Sequence, residues 1–218
     1  MTTKIEIIGV SKRFGPTTVI DNMSATFLSG KIIGLKGING SGKTMLMRLI
    51  AGLIKPSAGT IKINDQIMGK DISFPPSIGL LLENPAFLDA MSGMENLKLL
   101  ASIKRVVSID QIRAAIDAVG LDSSSVKKYR KYSLGMKQRL GIAAALMENP
   151  DIIILDEPTN SLDTAGVGLV KNLITVAKNR GALILLASHD FETLSFLSDE
   201  IYHIEEGKIS GPITVDSL

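Results

Sequence analysis

Residues Gly37–Thr44 read GINGSGKT and lie between an apolar run at Ile32–Leu35 and a helix-like stretch at Met45–Leu53. The octet matches the pattern G-x-x-x-x-G-K-[ST], in which glycines let successive backbone N–H groups point at phosphate oxygens. The helix that follows presents its positive end to the same anion. Lys43 can reach the β- and γ-phosphates, and the Thr44 hydroxyl suits Mg²⁺. We therefore predict a nucleoside triphosphate site formed by Gly37, Asn39, Gly40, Ser41, Gly42, Lys43, Thr44 and Met45.

Length and composition indicate one globular domain. The 218 residues are 45% hydrophobic and 21% charged, and the formal net charge of +2 is no argument for nucleic-acid binding. The chain contains no cysteine, which excludes disulfides and thiolate metal sites. Its longest apolar runs, Ile152–Leu155 and Ala182–Ala187, have the length of buried strands. A membrane-spanning helix needs roughly 18 apolar residues, so we expect a chain without one.

Strand-like and helix-like segments alternate in the last third of the chain. Helical patterns cover 135–148 and 164–179, and apolar strands precede and follow the second of them at 152–155 and 183–187. Such alternation implies a mostly parallel sheet that is covered by helices on both faces.

The first two thirds of the chain have a different pattern. Short β-like runs and a hairpin at 61–65 indicate an antiparallel region. Capping boxes at Ser92 and Ser108 begin two helices. We predict an α/β fold: a single domain, residues 1–218, with a phosphate-loop NTPase core, an antiparallel β region and an inserted helical subdomain at 86–134.

Two carboxylates follow the apolar strand at 152–155. In a parallel sheet, ligand chemistry collects at the carboxyl ends of the strands, so Asp156 should emerge beside the phosphate loop and hold Mg²⁺ through a water. Glu157 points elsewhere and can accept a proton from the water that attacks the γ-phosphate. An acidic junction after a strand is a simpler explanation, but the phosphate loop strongly favours the catalytic one.

Three further segments read YSLGMKQR at Tyr132–Arg139, NSLD at Asn160–Asp163 and SHD at Ser188–Asp190. The order and spacing of these segments, the phosphate loop and Asp156-Glu157 resemble the nucleotide-binding subunits of ABC transporters. The resemblance covers essentially the whole chain. It implies an ATPase with ATP and Mg²⁺ as cofactors, whose closing and opening as a dimer powers transport.

The resemblance also implies roles for individual residues. Ser133 and Gly135 would bind the γ-phosphate held by the other subunit, because a single phosphate loop leaves one side of the nucleotide open. Asp163 would lie at the dimer seam, His189 would contact the γ-phosphate, and Phe14 would stack on adenine. Taken alone, each has a plainer explanation: Ser133 as a helix cap, His189 as an ordinary polar residue and Phe14 as core packing.

The sequence departs from the family pattern at two positions. Glu83 stands where the family usually has glutamine; it can bind Mg²⁺, but it cannot donate a hydrogen bond when ionised. A carboxylate about 4 Å from a phosphate oxygen would be repelled by roughly 4 kcal/mol at an effective dielectric near 20. Our hypothesis is that Glu83 approaches the site only when Mg²⁺ is bound. Met45 replaces a hydroxyl that many relatives carry, which predicts at most weaker nucleotide binding.

The sequences around Glu83 and Ser133 resemble those of the bacitracin-resistance and lantibiotic-immunity branch of bacterial exporters. A member of that branch would act at the cytoplasmic face of the cell membrane, exporting a peptide antibiotic or similar amphiphile through a separate transmembrane permease subunit. It would pair with itself or a paralogue when ATP binds. The apolar loop Phe87–Met91 either receives a helix of the permease or packs within the helical subdomain.

Two other functions fit the sequence less well. A soluble ABC-type ATPase acting on nucleic acid or ribosomes usually carries two cassettes or long coiled-coil inserts, which are absent here. The basic run at 127–131 is better explained as a solvated face, so we expect no nucleic-acid partner. A kinase or GTPase would not need Ser133, Gly135 and His189, and the guanine-reading Asn-Lys-x-Asp motif is missing.

Overall fold

The computed structural model describes residues 3–215. Its strands are β1 Lys4–Phe14, β2 Thr17–Leu28, β3 Ile32–Lys36, β4 Ala58–Ile63, β5 Gln66–Ile67, β6 Ile78–Leu81, β7 Ile152–Asp156, β8 Leu183–Ser188, β9 Glu200–Glu205 and β10 Lys208–Thr214. Its α-helices are α1 Lys43–Ile50, α2 Gly93–Lys104, α3 Ile109–Ala118, α4 Leu134–Leu146, α5 Thr164–Asn179 and α6 Phe191–Leu197. A 3-10 turn at Tyr129–Lys131 precedes α4.

A six-stranded sheet forms the centre of the molecule, in the order β10-β9-β3-β8-β7-β6. All neighbours from β9 to β6 are parallel, and only β10 is antiparallel. Strands β7 and β8 are buried along their whole length. The predicted mostly parallel sheet is therefore confirmed.

The antiparallel region is a second sheet of four strands, in the order β2-β1-β4-β5. Its apolar side chains share a buried cluster with α1 and with one face of the central sheet. The predicted hairpin at 61–65 is the connection between β4 and β5, which pair antiparallel. The sheet thus covers the side of the central sheet on which α1 lies.

Helices α2 to α6 contribute to a second buried cluster, on the opposite face of the central sheet. The predicted capping boxes at Ser92 and Ser108 are both formed. The helix after the phosphate loop begins at Lys43 and ends at Ile50, whereas the sequence predicted Met45–Leu53. It stops early because the chain turns at Gly52, whose backbone has φ +76° and approaches the carbonyl of Ser73.

No helix within residues 3–215 is both long enough and apolar enough to cross a lipid bilayer.

Strand β6 and helix α4 pack very closely at Gly79. A Cβ on Gly79 would lie 1.8 Å from the carbonyl oxygen of Ala145 and 2.8 Å from Pro150. The contact involves backbone, which cannot rotate away, so only glycine fits. This close approach fixes α4, which begins at Leu134, against the strand that leads to Glu83.

We expect Gly79→Ala to destabilise the protein by about 2 kcal/mol or more, because the added methyl forces β6 and α4 apart. For a chain of this size that loss lowers the melting temperature by roughly 4–8 °C, measurable by circular dichroism. Gly168→Ala is the matched control, since nothing lies within 4 Å of a Cβ at this position in α5. The control should be neutral or stabilising by up to about 1 kcal/mol. Equal melting temperatures for the two variants would contradict the packing argument.

Candidate functional site

A cleft of about 480 Å³ lies at the carboxyl ends of β3 and β7. It is lined by Val19, Asn39, Gly40, Gly42, Lys43, Thr44, Met45, Arg48, Glu83, Asn84, Gln138, Asp156, Glu157 and Asn160. Most of the predicted phosphate-loop residues are in this set, together with both predicted strand-end carboxylates. The structure therefore brings the phosphate loop, Glu83 and the Asp156-Glu157 pair to one cavity.

The N-terminus of α1 opens into this cleft without a side-chain cap. Its N-cap is Gly42, which makes no side-chain hydrogen bond, whereas the other five α-helices within residues 3–215 are capped by a serine or aspartate oxygen. The first-turn N–H groups of a helix need a partner, and an anion supplies one. Gly40 and Gly42 have φ of +82° and +113°, which lets the loop present its backbone. The α1 terminus is therefore suited to a phosphate group.

Lys43 is buried under the phosphate loop. Its Nζ donates to the carbonyl oxygens of Gly37 at 2.6 Å and Ile38 at 3.0 Å. Burial lowers the pKa of this amine, against the opposing charges of Glu157 and Asp156. The loop is close-packed here, because a Cβ on Gly37 would lie 2.3 Å from the carbonyl of Ile204 and 2.4 Å from the Ser41 hydroxyl. Gly37 and the buried Ser41 thus shape the loop from behind the cleft.

Asp156 is buried at the end of β7 and accepts a hydrogen bond from the Thr44 hydroxyl. Burial raises the pKa of the Asp156 carboxyl; the Thr44 hydrogen bond opposes this, and the charge of Glu157 adds to it. The hydroxyl and the carboxylate predicted to serve Mg²⁺ are therefore in direct contact. Such hard oxygen atoms are the ligands that Mg²⁺ prefers.

Glu157 is fixed at both its backbone and its carboxylate. Ser188 Oγ donates to one carboxylate oxygen at 3.1 Å, and the backbone N–H of His189 donates to the other at 3.0 Å. The His189 ring Nδ1 lies 2.9 Å from that second oxygen. The Gln138 side-chain amide donates to the Glu157 carbonyl at 3.0 Å. These contacts hold a non-glycine residue at φ +48°, which costs about 1–3 kcal/mol.

Glu83 reaches the cleft from the end of β6 and is also at positive φ, +58°. Its carboxylate oxygen lies 2.5 Å from Nη2 of Arg48 in α1. The predicted metal ligand is thus paired with a cation on the helix that carries Thr44.

Three predicted residues lie away from the cleft, at the N-termini of α4 and α5. Ser133 caps α4 by accepting from Met136 N–H at 3.2 Å. Gly135 is required by packing, because a Cβ there would lie 2.7 Å from the carbonyl of Ser161. Asp163 caps α5 and pairs with Arg139 at 3.0 Å. None of the three lines the cleft of its own chain.

Phe14 also lies outside the cleft, at the end of β1. Its ring is half-exposed, and Lys12 Nζ lies 4.8 Å from the ring centroid. This position excludes the core-packing explanation and leaves the ring accessible. Stacking on adenine stays a prediction.

Sequence reasoning assigned no role to Arg48 and Gln138. Gln138 belongs to the segment Tyr132–Arg139, but it is buried and its amide reaches a different element, the carbonyl after β7. Arg48 follows Thr44 by one helical turn, which places it on the cleft side of α1. The helical period could have identified Arg48, whereas nothing in the sequence connects Gln138 to Glu157.

Comparisons with known proteins identify the family of this chain. The family model described as "ABC transporter" matches residues 20–160. An uncharacterized ABC transporter ATP-binding protein, YybJ of Bacillus subtilis, is 46% identical over 94% of this chain and 94% of its own length. The bacitracin transport ATP-binding protein BcrA of Enterococcus faecalis is 35% identical, over 98% of this chain and 70% of its own length. The lantibiotic transport ATP-binding protein SrtF of Streptococcus pyogenes is 34% identical, over 94% and 88%.

Solved structures share the fold. The ATP-binding subunit of an ABC transporter superposes with a TM-score of 0.88 at 24% identity, over 98% of this chain and 90% of that one. A dimeric ATP-binding cassette in a post-hydrolysis state bound to ADP and Pi superposes with a TM-score of 0.86 at 21% identity, over 97% and 98%. The chain therefore belongs to the ABC transporter family, as an ATP-binding domain of that family.

Proposed function

We propose that this chain is the ATP-hydrolysing subunit of a membrane exporter for a peptide antibiotic or similar amphiphile. The observation that carries the hydrolytic part is the Glu157 carboxylate, which is fixed by Ser188 and His189 in the cleft that the uncapped α1 terminus also enters. An anion site and an immobilised base in one cavity suit hydrolysis of a phosphoanhydride.

Each chain supplies a distinct set of groups to bound ATP. The phosphate loop, including Asn39 and Met45 through their backbone, and the α1 terminus receive the phosphates. Lys43 exchanges its loop carbonyls for β- and γ-phosphate oxygens. Glu157 accepts the proton of the attacking water, while His189 orients Glu157 and reaches the γ-phosphate. Phe14 stacks on the adenine.

Thr44, Asp156 and Glu83 would hold Mg²⁺. Within residues 3–215 no group of three or more His, Cys, Asp and Glu side chains could hold a metal on its own. Substrate phosphate oxygens and water would supply further ligands. When bound, the ion neutralises phosphate charge. The raised pKa of the buried Asp156 makes this ligand more sensitive to acid than an exposed aspartate.

We expect Glu157→Gln to abolish ATP turnover while the protein still binds ATP, because the amide keeps the shape of the carboxylate but cannot accept the proton. ATP should then hold the variant as a stable dimer, detectable by size-exclusion chromatography with light scattering. Wild-type protein with ATP is the control and should return to monomers as hydrolysis proceeds. Turnover within about tenfold of wild type would show that another group is the base.

A second chain completes each reaction site. The cleft is open, and the exposed N-terminus of α4, with Ser133 and Gly135, does not line it. Across a two-fold axis, α4 of the partner subunit can cover the γ-phosphate, with Asp163 at the seam. Loss of the γ-phosphate removes the ligand that joins the halves, and the dimer opens. The partner is a second copy of this chain or a paralogue.

Mixing two inactive variants tests this arrangement. Lys43→Ala and Ser133→Arg should each be inactive alone, but an equal mixture forms mixed dimers with one intact composite site, restoring about a quarter of wild-type turnover. Lys43→Ala mixed with Glu157→Gln is the matched control, because both defects lie on the same half of a site and no intact site forms. No recovery in the first mixture would mean that Ser133 acts within its own chain or not at all.

The segment 86–134 is proposed as an inserted subdomain that contacts the permease. Its loop Phe87–Met91 is held by Asn96, whose amide bonds to the backbone of Leu88 in both directions. Phe87 packs edge-on against Tyr129 with ring centroids 5.4 Å apart, while Leu88 is half-exposed. Packing within the helical subdomain accounts for Phe87, and the exposed Leu88 supports our proposal that the loop receives a permease helix.

Export of a peptide antibiotic rests on the relatives BcrA and SrtF, whose names describe bacitracin and lantibiotic transport. Such a role places the chain at the cytoplasmic face of the cell membrane, attached to its permease. The alternative, an ATPase acting on nucleic acid or ribosomes, receives no support from the relatives reported above.

A deletion strain tests the transported class. We expect loss of this chain to raise sensitivity to bacitracin or a lantibiotic, measured as a lower inhibitory concentration than in the parent strain. The wild-type gene should restore resistance, and the matched Glu157→Gln gene should not, because export needs turnover. Unchanged sensitivity to both classes would reject the proposed substrate while leaving the ATPase assignment intact.

A further inference from the structure

The ion pair between Arg48 and Glu83 is at the mouth of the nucleotide cleft. Glu83 follows β6, and its carboxylate oxygen lies 2.5 Å from Arg48 Nη2. The pair is partly exposed, with 61% of the Glu83 side chain and 37% of the Arg48 side chain accessible. Ion pairs of this exposure contribute little to folding stability, so the fold gives no sufficient reason for the pairing.

The charges around the cleft suggest a different reason. Its lining contains three carboxylates, Glu83, Asp156 and Glu157, and two cations, Lys43 and Arg48. Burial is the main cause that raises the pKa of Asp156, and the charges of Glu157 and Glu83 add to it. ATP would add several negative charges to a cavity that is already acidic. Arg48 is the cation that contacts the Glu83 carboxylate.

The position of Arg48 on α1 makes this contact part of the phosphate site. Arg48 lies four residues after Thr44, about one turn along the same face of the helix. Its guanidinium contacts Glu83 in the loop after β6, whereas the Thr44 hydroxyl contacts Asp156. If Glu83 moved toward Thr44, its carboxylate would leave the Arg48 guanidinium. It would then approach the position where Mg²⁺ is expected beside the phosphates.

We propose that Arg48 is a positioning residue that holds and neutralises Glu83 until Mg²⁺ arrives. In the absence of the metal, Arg48 keeps the carboxylate from repelling the triphosphate. When Mg²⁺ binds, the ion takes over this neutralisation and Glu83 leaves the arginine. The ion pair thereby reduces the repulsion between the Glu83 carboxylate and the nearby triphosphate. This inference rests on the proposed ATP site.

A plainer role for Arg48 has to be separated from this one. Arg48 is in the last turn of α1, where a cation stabilises the helix end whatever residue stands at position 83. It could also bind a phosphate directly. Both roles predict that removing Arg48 has the same effect beside glutamate and beside glutamine, whereas neutralisation of Glu83 predicts a dependence on that residue.

A double-mutant cycle measures this dependence. Wild type, Arg48→Met, Glu83→Gln and the double variant are titrated with a fluorescent ATP analogue in EDTA, then again with saturating Mg²⁺. We expect Arg48→Met to weaken metal-free binding about tenfold beside Glu83 and less than about twofold beside glutamine. Saturating Mg²⁺ should reduce the first effect severalfold. Arg113→Met, which breaks an exposed ion pair with Asp110 in α3, is the matched control and should change neither titration.

The Mg²⁺ requirement gives a second, independent readout. With the ATP analogue bound, Arg48→Met should lower the Mg²⁺ concentration at half-saturation severalfold, because the metal no longer competes with arginine for Glu83. The same substitution beside glutamine should leave it unchanged. Melting temperatures verify that all four proteins are folded.

Equal losses in both backgrounds, no loss in either, or tighter metal-free binding by Arg48→Met would each overturn the proposal. Those results leave the ATP site itself intact, because wild type still binds the analogue. Failure of wild type to bind it with or without Mg²⁺ would instead reject the proposed function, and this inference with it.

Discussion

The site depends on the in-register pairing of three parallel strands. Lys36 at the end of β3 lies opposite Ser188 of β8, and Ala187 of β8 lies opposite Asp156 of β7. Parallel strands end at the same edge of a sheet, so this register brings together groups that are more than a hundred residues apart in sequence. A register shift of one residue would turn Asp156 to the other face of the sheet and separate it from Thr44. Strands β7 and β8 are fully buried and are apolar up to Asp156 and Ser188 at their ends, which makes such a shift costly.

The two carboxylates Glu157 and Glu83, for which we propose chemical roles, both follow strands of that sheet in a strained backbone conformation. Glu157 and Glu83 both adopt positive φ, which non-glycine residues avoid. Glu157 is held in this conformation by Gln138 at its carbonyl and by Ser188 and His189 at its carboxylate. Gln138 lies five residues after Ser133 in the segment that opens α4. Gln138 therefore links α4 directly to the backbone of the proposed base.

The open cleft and the exposed N-terminus of α4 have one explanation in the proposed dimer, where the α4 terminus of one chain covers the cleft of the other. A single chain offers phosphate-binding N–H groups at α1 and an unpaired surface at Ser133, and its own fold keeps them apart. The symmetric dimer that we propose would bring the two surfaces together. The solved ATP-binding cassette with ADP and Pi, which is similar to this chain in fold, is dimeric. Glycine is also required at position 135 by packing, since only glycine lets α4 approach the backbone of Ser161.

The sequence by itself determined the fold class, the phosphate loop, the capping boxes at Ser92 and Ser108, and the Asp156-Glu157 pair. Each of these is a local pattern, in which neighbouring residues carry both the structure and the chemistry. The tertiary structure alone decided what meets across the fold: the Arg48–Glu83 pair, the Gln138 bond to Glu157, and the accessibility of Phe14. These contacts join residues up to several elements apart, and their existence depends on strand order and helix packing. Local periodicity does not predict these contacts, because the same helices and strands would form whichever elements they packed against.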